Sequence, residues 1–193
     1  LRAPTPAQKQ RSLHPNDVWQ IDASISTLFY VPQAGVADMH PAEFYKNKPG
    51  NFERIKRQRL TRYVVTDHTS GAIFAWYVAG GESLANMAES LLEAMREKPG
   101  EALYGKPFHL YVDPGTGATK NFRRFLAGLE IDLVVHAPGN PRATGQVENA
   151  HNLVETQFEA GFKLTHVPGI DWINTQARRW CQWFNASKTH TRH

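Results

Sequence analysis

VWQIDASISTLFYV, residues 18–31, alternates in polarity. Trp19, Ile21, Ala23 and Ile25 fall on one side of a period of two, and Gln20, Asp22 and Ser24 fall on the other. The run therefore reads as a β-strand. It also contains an anomaly. Asp is a poor strand residue, because its carboxylate competes for backbone hydrogen bonds and favours turns. Asp22 nevertheless stands in the middle of the run, either as a polar residue on a wet sheet face or as one arm of a site.

The segments on either side set the strand in a fold. Residues 1–16 carry three Pro and four basic side chains without periodicity and read as a linker from something upstream. Residues 33–60 lack a clean period and read as an inserted loop that holds a short helix at most. RYVVTDHTSGAIFAWYVAG, 62–80, reads as a hairpin broken at His68-Thr69-Ser70-Gly71. Leu84, Met87, Leu91, Leu92 and Met95 recur at helical spacing, and the helix stops at Pro99-Gly100. PFHLYVD is a short buried strand ending at Asp113. Thr119 is placed to cap a helix bearing Phe122, Phe125, Leu126 and Leu129, and IDLVVH is another strand.

GNPRATGQVENAHNLVE, 139–155, then opens a helix. Val147, Ala150, Val154 and Phe158 make a narrow apolar stripe, with Glu148, Asn152, Glu155 and Glu159 on a polar stripe beside it. Asp171 reads as the cap of a last helix that turns Ile173, Ala177, Trp180, Cys181 and Phe184 inward. The order β-β-β-α-β-α-β-α-α predicts an α/β fold. Its mixed five-stranded sheet has an antiparallel meander first, then β-α-β, and helices on both faces.

Bulk properties narrow the function classes. The 193 residues suit one domain with a real core. No apolar run approaches the ~20 residues of a membrane span. Cys181 is alone, which excludes an internal disulfide framework or a paired-Cys zinc site and suits a reducing, cytoplasmic setting. Net charge is +4, weak evidence for nucleic acid by itself. Five basic residues crowd into RIKRQRLTR: Arg54, Lys56, Arg57, Arg59 and Arg62.

Three carboxylates stand at the positions where elements meet. Asp22 lies within a strand, and Asp113 ends a buried one, where ligands gather in sheets of this kind. Glu148 opens a helix behind a Pro-containing approach. Singly, they read as a wet-face residue, a turn former and a complement to the helix dipole. Jointly they suit a hard divalent cation, since clustered carboxylates repel unless positive charge lies between them.

On these blocks a resemblance rests. VWQIDAS, YVDPGTGATKNF and HAPGNPRATGQVENAHNLVE resemble the three signature blocks of the DDE integrase/transposase catalytic core, the retroviral-integrase-like branch of the RNase H-like fold, as carried by bacterial insertion-sequence elements. WCQWFNASKTHTRH is similar to the family's last helix, and the likeness covers residues 17–193 with 33–60 as an insertion. It implies Asp22, Asp113 and Glu148 as the catalytic, metal-binding triad for two Mg²⁺ or Mn²⁺ ions, which bind only once DNA is present if its phosphates complete the site. Two departures stand out. There are 34 residues between Asp113 and Glu148 (148 − 113 − 1), one fewer than the family commonly keeps, and Pro114 replaces its usual Asn.

The implied activity is metal-dependent phosphodiester cleavage at element ends and 3′-hydroxyl strand transfer into target DNA, with no covalent intermediate and no small-molecule substrate. The implied partners are double-stranded DNA and further copies of the chain, located with the nucleoid if the host is bacterial. Asn140, Arg142, Asn152, Arg54, Lys56, Arg57 and Arg59 are candidate DNA contacts, and His151 could point either way. Asp67 and His68 read as turn formers, and the five Trp as core. The rival readings are an RNase H-like or resolvase-like nuclease, and a non-catalytic DNA-binding or assembly module with the same fold.

Overall fold

The computed structural model describes residues 12–30, 37–38, 59–115, 119–135, 145–162 and 167–187. Its centre is β1, Val18–Tyr30. On one side β1 pairs antiparallel with β3, Arg59–Asp67, which pairs antiparallel with β4, Ile73–Ala79. On the other side it pairs parallel with β5, His109–Val112, which pairs parallel with β6, Asp132–Val135. The strand order is β4-β3-β1-β5-β6, the mixed five-stranded sheet that the element order predicts.

A sixth, two-residue strand, β2 at Ala37–Asp38, pairs with Phe29 and Tyr30 at the far end of β1, past a register shift after Ile25. It falls inside the segment read as an insertion, and β3 also begins there, at Arg59. Leu60 is fully buried in the core, so the hairpin is longer at its start than the sequence suggests. The run of charge just ahead of it hid the first strand residues. Residues 39–58 lie outside the described residues.

Helices cover both faces, because the strands present apolar side chains on both. α1, Leu84–Met95, is capped by Ser83, whose hydroxyl accepts the Asn86 N–H at 3.1 Å. α2, Lys120–Gly128, is capped by Thr119 as expected. These two helices pack Met87, Leu91, Phe122 and Leu126 against Trp19, Ile21, Tyr63 and Phe74. The opposite face is covered by α3, Gly145–Leu153, and α4, Ile170–Ser187. Val147, Ala150, Ile173, Ala177 and Cys181 there meet Leu60, Val64, Ile73 and Tyr77. Burying each larger apolar side chain contributes ~1.5–3 kcal/mol over leaving it exposed.

Several side chains differ from their sequence reading. Gln20 is not on a wet face: it is 2% exposed, and its Oε1 accepts the Val147 N–H at 3.2 Å, tying the start of α3 to β1. Asp171 lies in the first turn of α4 rather than at its cap, since the Ile173 N–H already bonds to the Gly169 carbonyl. Trp183 projects from α4 and is 57% exposed, unlike the other four Trp.

Glu159 is the largest correction. The expected polar stripe assumes one regular helix, but α3 passes into a π turn, Val154–Phe158, and then a 3-10 turn, Glu159–Phe162. The π turn takes about one extra residue. That rotates Glu159 off the polar stripe and into the protein, where it is fully buried.

Residues 12–16 are held against the β3–β4 turn. Asp67 accepts the Asn16 N–H through Oδ1 and the Ser70 N–H and hydroxyl through Oδ2. The Thr69 hydroxyl donates to the His14 carbonyl. Asp67 is thus the turn former its position suggested.

Candidate active site

The parallel pairing of β1 with β5 runs at a constant offset: Val18↔His109, Trp19↔Leu110 and Gln20↔Tyr111, each 91 residues apart (109 − 18 = 91). Continued two residues past the last pair, just beyond the end of β5, the same offset would set Asp22 level with Asp113 (113 − 22 = 91). Neighbouring strands lie ~4.8 Å apart and side chains at one register level share a face. Both carboxylates accordingly line one cleft of about 270 Å³, with Ile21, Glu82, Met87, Val112, Pro114 and Gly115 around them. Asp113, Pro114 and Gly115 are exposed, so the cleft opens to solvent at the carboxyl end of β5.

Glu148 comes from α3, which packs on the sheet face that Gln20 and Asp22 share. It is exposed in the first turn of α3, next to Val147, whose amide Gln20 holds. It does not line the cleft, and among the described residues no three acidic, His or Cys side chains converge closely enough to hold a metal ion. What connects α3 to the cleft is His151, one turn after Glu148. Its Nε2 lies 3.4 Å from Asp22 Oδ2.

His151 is itself part of a buried polar chain that the sequence reading did not find. Arg62 Nε donates to His151 Nδ1 at 3.1 Å, and Arg62 Nη1 to Glu159 Oε1 at 2.6 Å. The Tyr77 hydroxyl donates to the same Glu159 oxygen at 2.7 Å, and the Ser26 hydroxyl to Oε2 at 3.3 Å. Half-exposed Glu155 adds a longer approach to Arg62, 3.7 Å. Burial works to lower the Arg62 pKa, but the charges and hydrogen bond of Glu159 outweigh it and the guanidinium stays charged. Burial, reinforced by Glu159, raises the Tyr77 hydroxyl well above the ordinary range. Arg62 therefore does not belong with the basic cluster as a surface cation. The signal available was its alternation with Leu60 and Val64, both core residues of the same strand face.

Of the remaining sequence candidates, Asn152 is exposed on α3 one turn beyond Glu148. Arg59 lies in β3. Asn140, Arg142, Arg54, Lys56 and Arg57 fall outside the described residues.

The donor set suits a hard divalent cation: all three candidate ligands are carboxylates, and two of them meet in one open cleft. The fold is similar to that of solved retroviral integrase catalytic cores. The HTLV-2 integrase catalytic core, solved in complex with magnesium in trimeric and dimeric forms, superposes on the chain. In the trimeric form the TM-score is 0.56 at 20% identity, over 86% of each chain.

Relatives in sequence agree with the fold. The Gag-Pro-Pol polyprotein of squirrel monkey retrovirus is 29% identical over 146 residues, 75% of this chain. The transposase of transposon Tn552 of Staphylococcus aureus is 25% identical over 166 residues, 84% of this chain. The chain spans 6% of the polyprotein's length and 29% of the transposase's. No family model matches. The second of these is a transposase, a kind of protein that the three sequence blocks resemble.

Proposed function

We propose that this chain is the catalytic core of a DNA transposase or integrase, a polynucleotidyl transferase that cleaves phosphodiesters at element ends and joins a 3′-hydroxyl to target DNA. The observation that carries the reading is the cleft: Asp22 and Asp113, 91 apart in sequence (113 − 22 = 91), both line it. The relatives, a retroviral polyprotein and a transposase, support the same class.

Asp22 and Asp113, which line one cleft, would hold the metal together with Glu148 from α3. Bound there, two Mg²⁺ or Mn²⁺ ions supply Lewis acidity and charge neutralisation for in-line phosphoryl displacement. The exposed Asp113-Pro114-Gly115 edge admits a DNA strand, while Gln20 keeps α3 in place. No Ser, Tyr or Cys is needed as nucleophile. Cys181, the single cysteine, is buried and burial raises its thiol to about 12, which removes it from chemistry. Arg54, Lys56, Arg57, Arg59, Asn140, Arg142 and Asn152 are proposed to meet phosphates, positioning DNA without reading its sequence. The protein acts as a homo-oligomer on DNA.

Nicking of supercoiled plasmid tests the chemistry without knowledge of the element. Wild type with Mn²⁺ converts plasmid to open circles, and Asp113→Asn or omission of metal abolishes this. Wild type that binds plasmid yet never nicks it with any divalent cation identifies a non-catalytic binding module instead.

A further inference from the structure

The polar chain behind the cleft has a direction. It starts at Asp22 and runs through His151 and Arg62 to Glu159, which Tyr77 and Ser26 also hold. Its members come from β1, β3, β4 and the long α3 segment, the elements that carry or support Asp22 and Glu148. Apart from Asp22 they are buried, and His151 is 8% exposed. Glu159 reaches the chain only because of the π turn, an irregularity that recurs at functional sites.

The Arg62 contact decides what His151 can do. Guanidinium is a donor only, so Nδ1 must be the acceptor and the neutral ring carries its proton on Nε2. That N–H is buried, makes no hydrogen bond among the described residues, and lies 3.4 Å from Asp22 Oδ2. Hydrogen bonds of this type run ~2.7–3.2 Å, so a small rotation of the half-buried Asp22 closes the gap. A buried donor without an acceptor is costly, which biases Asp22 towards that rotation. The tautomer also rules out Nε2 as a metal ligand.

We infer that His151 is a positioning residue for Asp22, its Nε2–H holding Oδ2 so that the carboxylate presents its other oxygen to the cleft. Ligating carboxylates depend on such outer partners for orientation, and losing one typically costs ~10–100-fold in metal affinity. The inference rests on Asp22 being a metal ligand, as proposed above.

The experiment pairs Mn²⁺ titration of the full chain, read by loss of the free-ion paramagnetic resonance signal, with melting temperatures. His151→Asn keeps an acceptor for Arg62 but cannot reach Asp22, whereas His151→Gln places an amide N–H near the Nε2 position. The expected result is Mn²⁺ affinity weakened about tenfold or more by His151→Asn, largely restored in His151→Gln, with both variants melting close to wild type. Nitrogen-15 spectra of the wild-type imidazole should show Nε2 protonated and Nδ1 bare. Asp22→Asn separates the two readings. If Asp22→Asn abolishes Mn²⁺ binding and His151→Asn leaves it intact, the positioning role is overturned and the triad stands. If Asp22→Asn binds Mn²⁺ like wild type, the metal reading fails and the positioning role with it. Equal weakening in both His151 variants with lowered melting temperatures, or a proton on Nδ1, assigns His151 to packing alone.

Discussion

Arg62 is 1% exposed, and its guanidinium is balanced chiefly by Glu159, 2.6 Å away and fully buried. Removing one member of such a pair strands the other charge in a low dielectric, at ~3–5 kcal/mol. Arg62→Met is expected to lower stability by about that amount in urea unfolding. Adding Glu159→Gln removes the stranded charge and recovers much of the loss. At the same scale, the Cys181 thiol is 2% exposed and raised by burial to about 12. The native state thus binds its proton more tightly than the unfolded chain does, so this contribution to stability is complete below the unfolded value. It fades as pH rises from about 9 towards 12. Native protein at pH 8 should resist iodoacetamide and react at once in denaturant; rapid labelling of the folded chain would contradict the burial. Individual residues were legible in proportion to how local their reasons are. Asp22 stood out because Asp is out of place in a strand. Arg62 and Glu159, 97 positions apart, looked like members of a surface cluster and a surface stripe, because only the fold shows their pairing.

At the scale of elements, periodicity and caps carried most of the information. Thr119 caps α2 as its position suggested, and the 62–80 hairpin forms around Asp67. What escaped were irregularities whose cause is tertiary. The π turn at Val154–Phe158 leaves no trace in an apolar stripe that stays in phase up to Phe158. It makes a specific prediction. Deleting the exposed Gln157 places Phe158 and Glu159 three and four positions after Val154, both on the buried face of a regular helix. This variant should fold with a melting temperature within a few degrees of wild type, as thermal denaturation followed by circular dichroism will show. A loss as large as that of Arg62→Met would mean that the π turn itself, rather than the direction of Glu159, is required. Gln20 gives a second check. Gln20→Leu leaves the buried Val147 N–H without that acceptor, costing ~1–3 kcal/mol, and should depress metal-dependent nicking beyond what the stability loss explains.

For the whole molecule, the central strand connects the fold to the function. β1 is shared between the antiparallel half and the parallel half of the sheet, and its Asp22 lines one cleft with Asp113, just past β5, while His151 of α3 approaches it. The overall topology was legible from element order alone, and Asp22 and Asp113, which line one cleft, stood out by residue type and position. The placement of Glu148 off the cleft was not legible, because it depends on how α3 packs on the sheet. With a net charge of +4, DNA binding should be sequence-tolerant and fall by about tenfold or more between roughly 50 and 200 mM salt. Asp113→Asn should leave that affinity unchanged while abolishing cleavage, which separates binding from chemistry. The most direct test of the central claim is strand joining: labelled duplex carrying a pre-nicked element end, target DNA and Mn²⁺, with wild type beside Glu148→Gln. Joined product from wild type and none from Glu148→Gln is the predicted result. Joining by Glu148→Gln at the wild-type rate would contradict the triad, and nicking by wild type without any joined product would make the protein a nuclease.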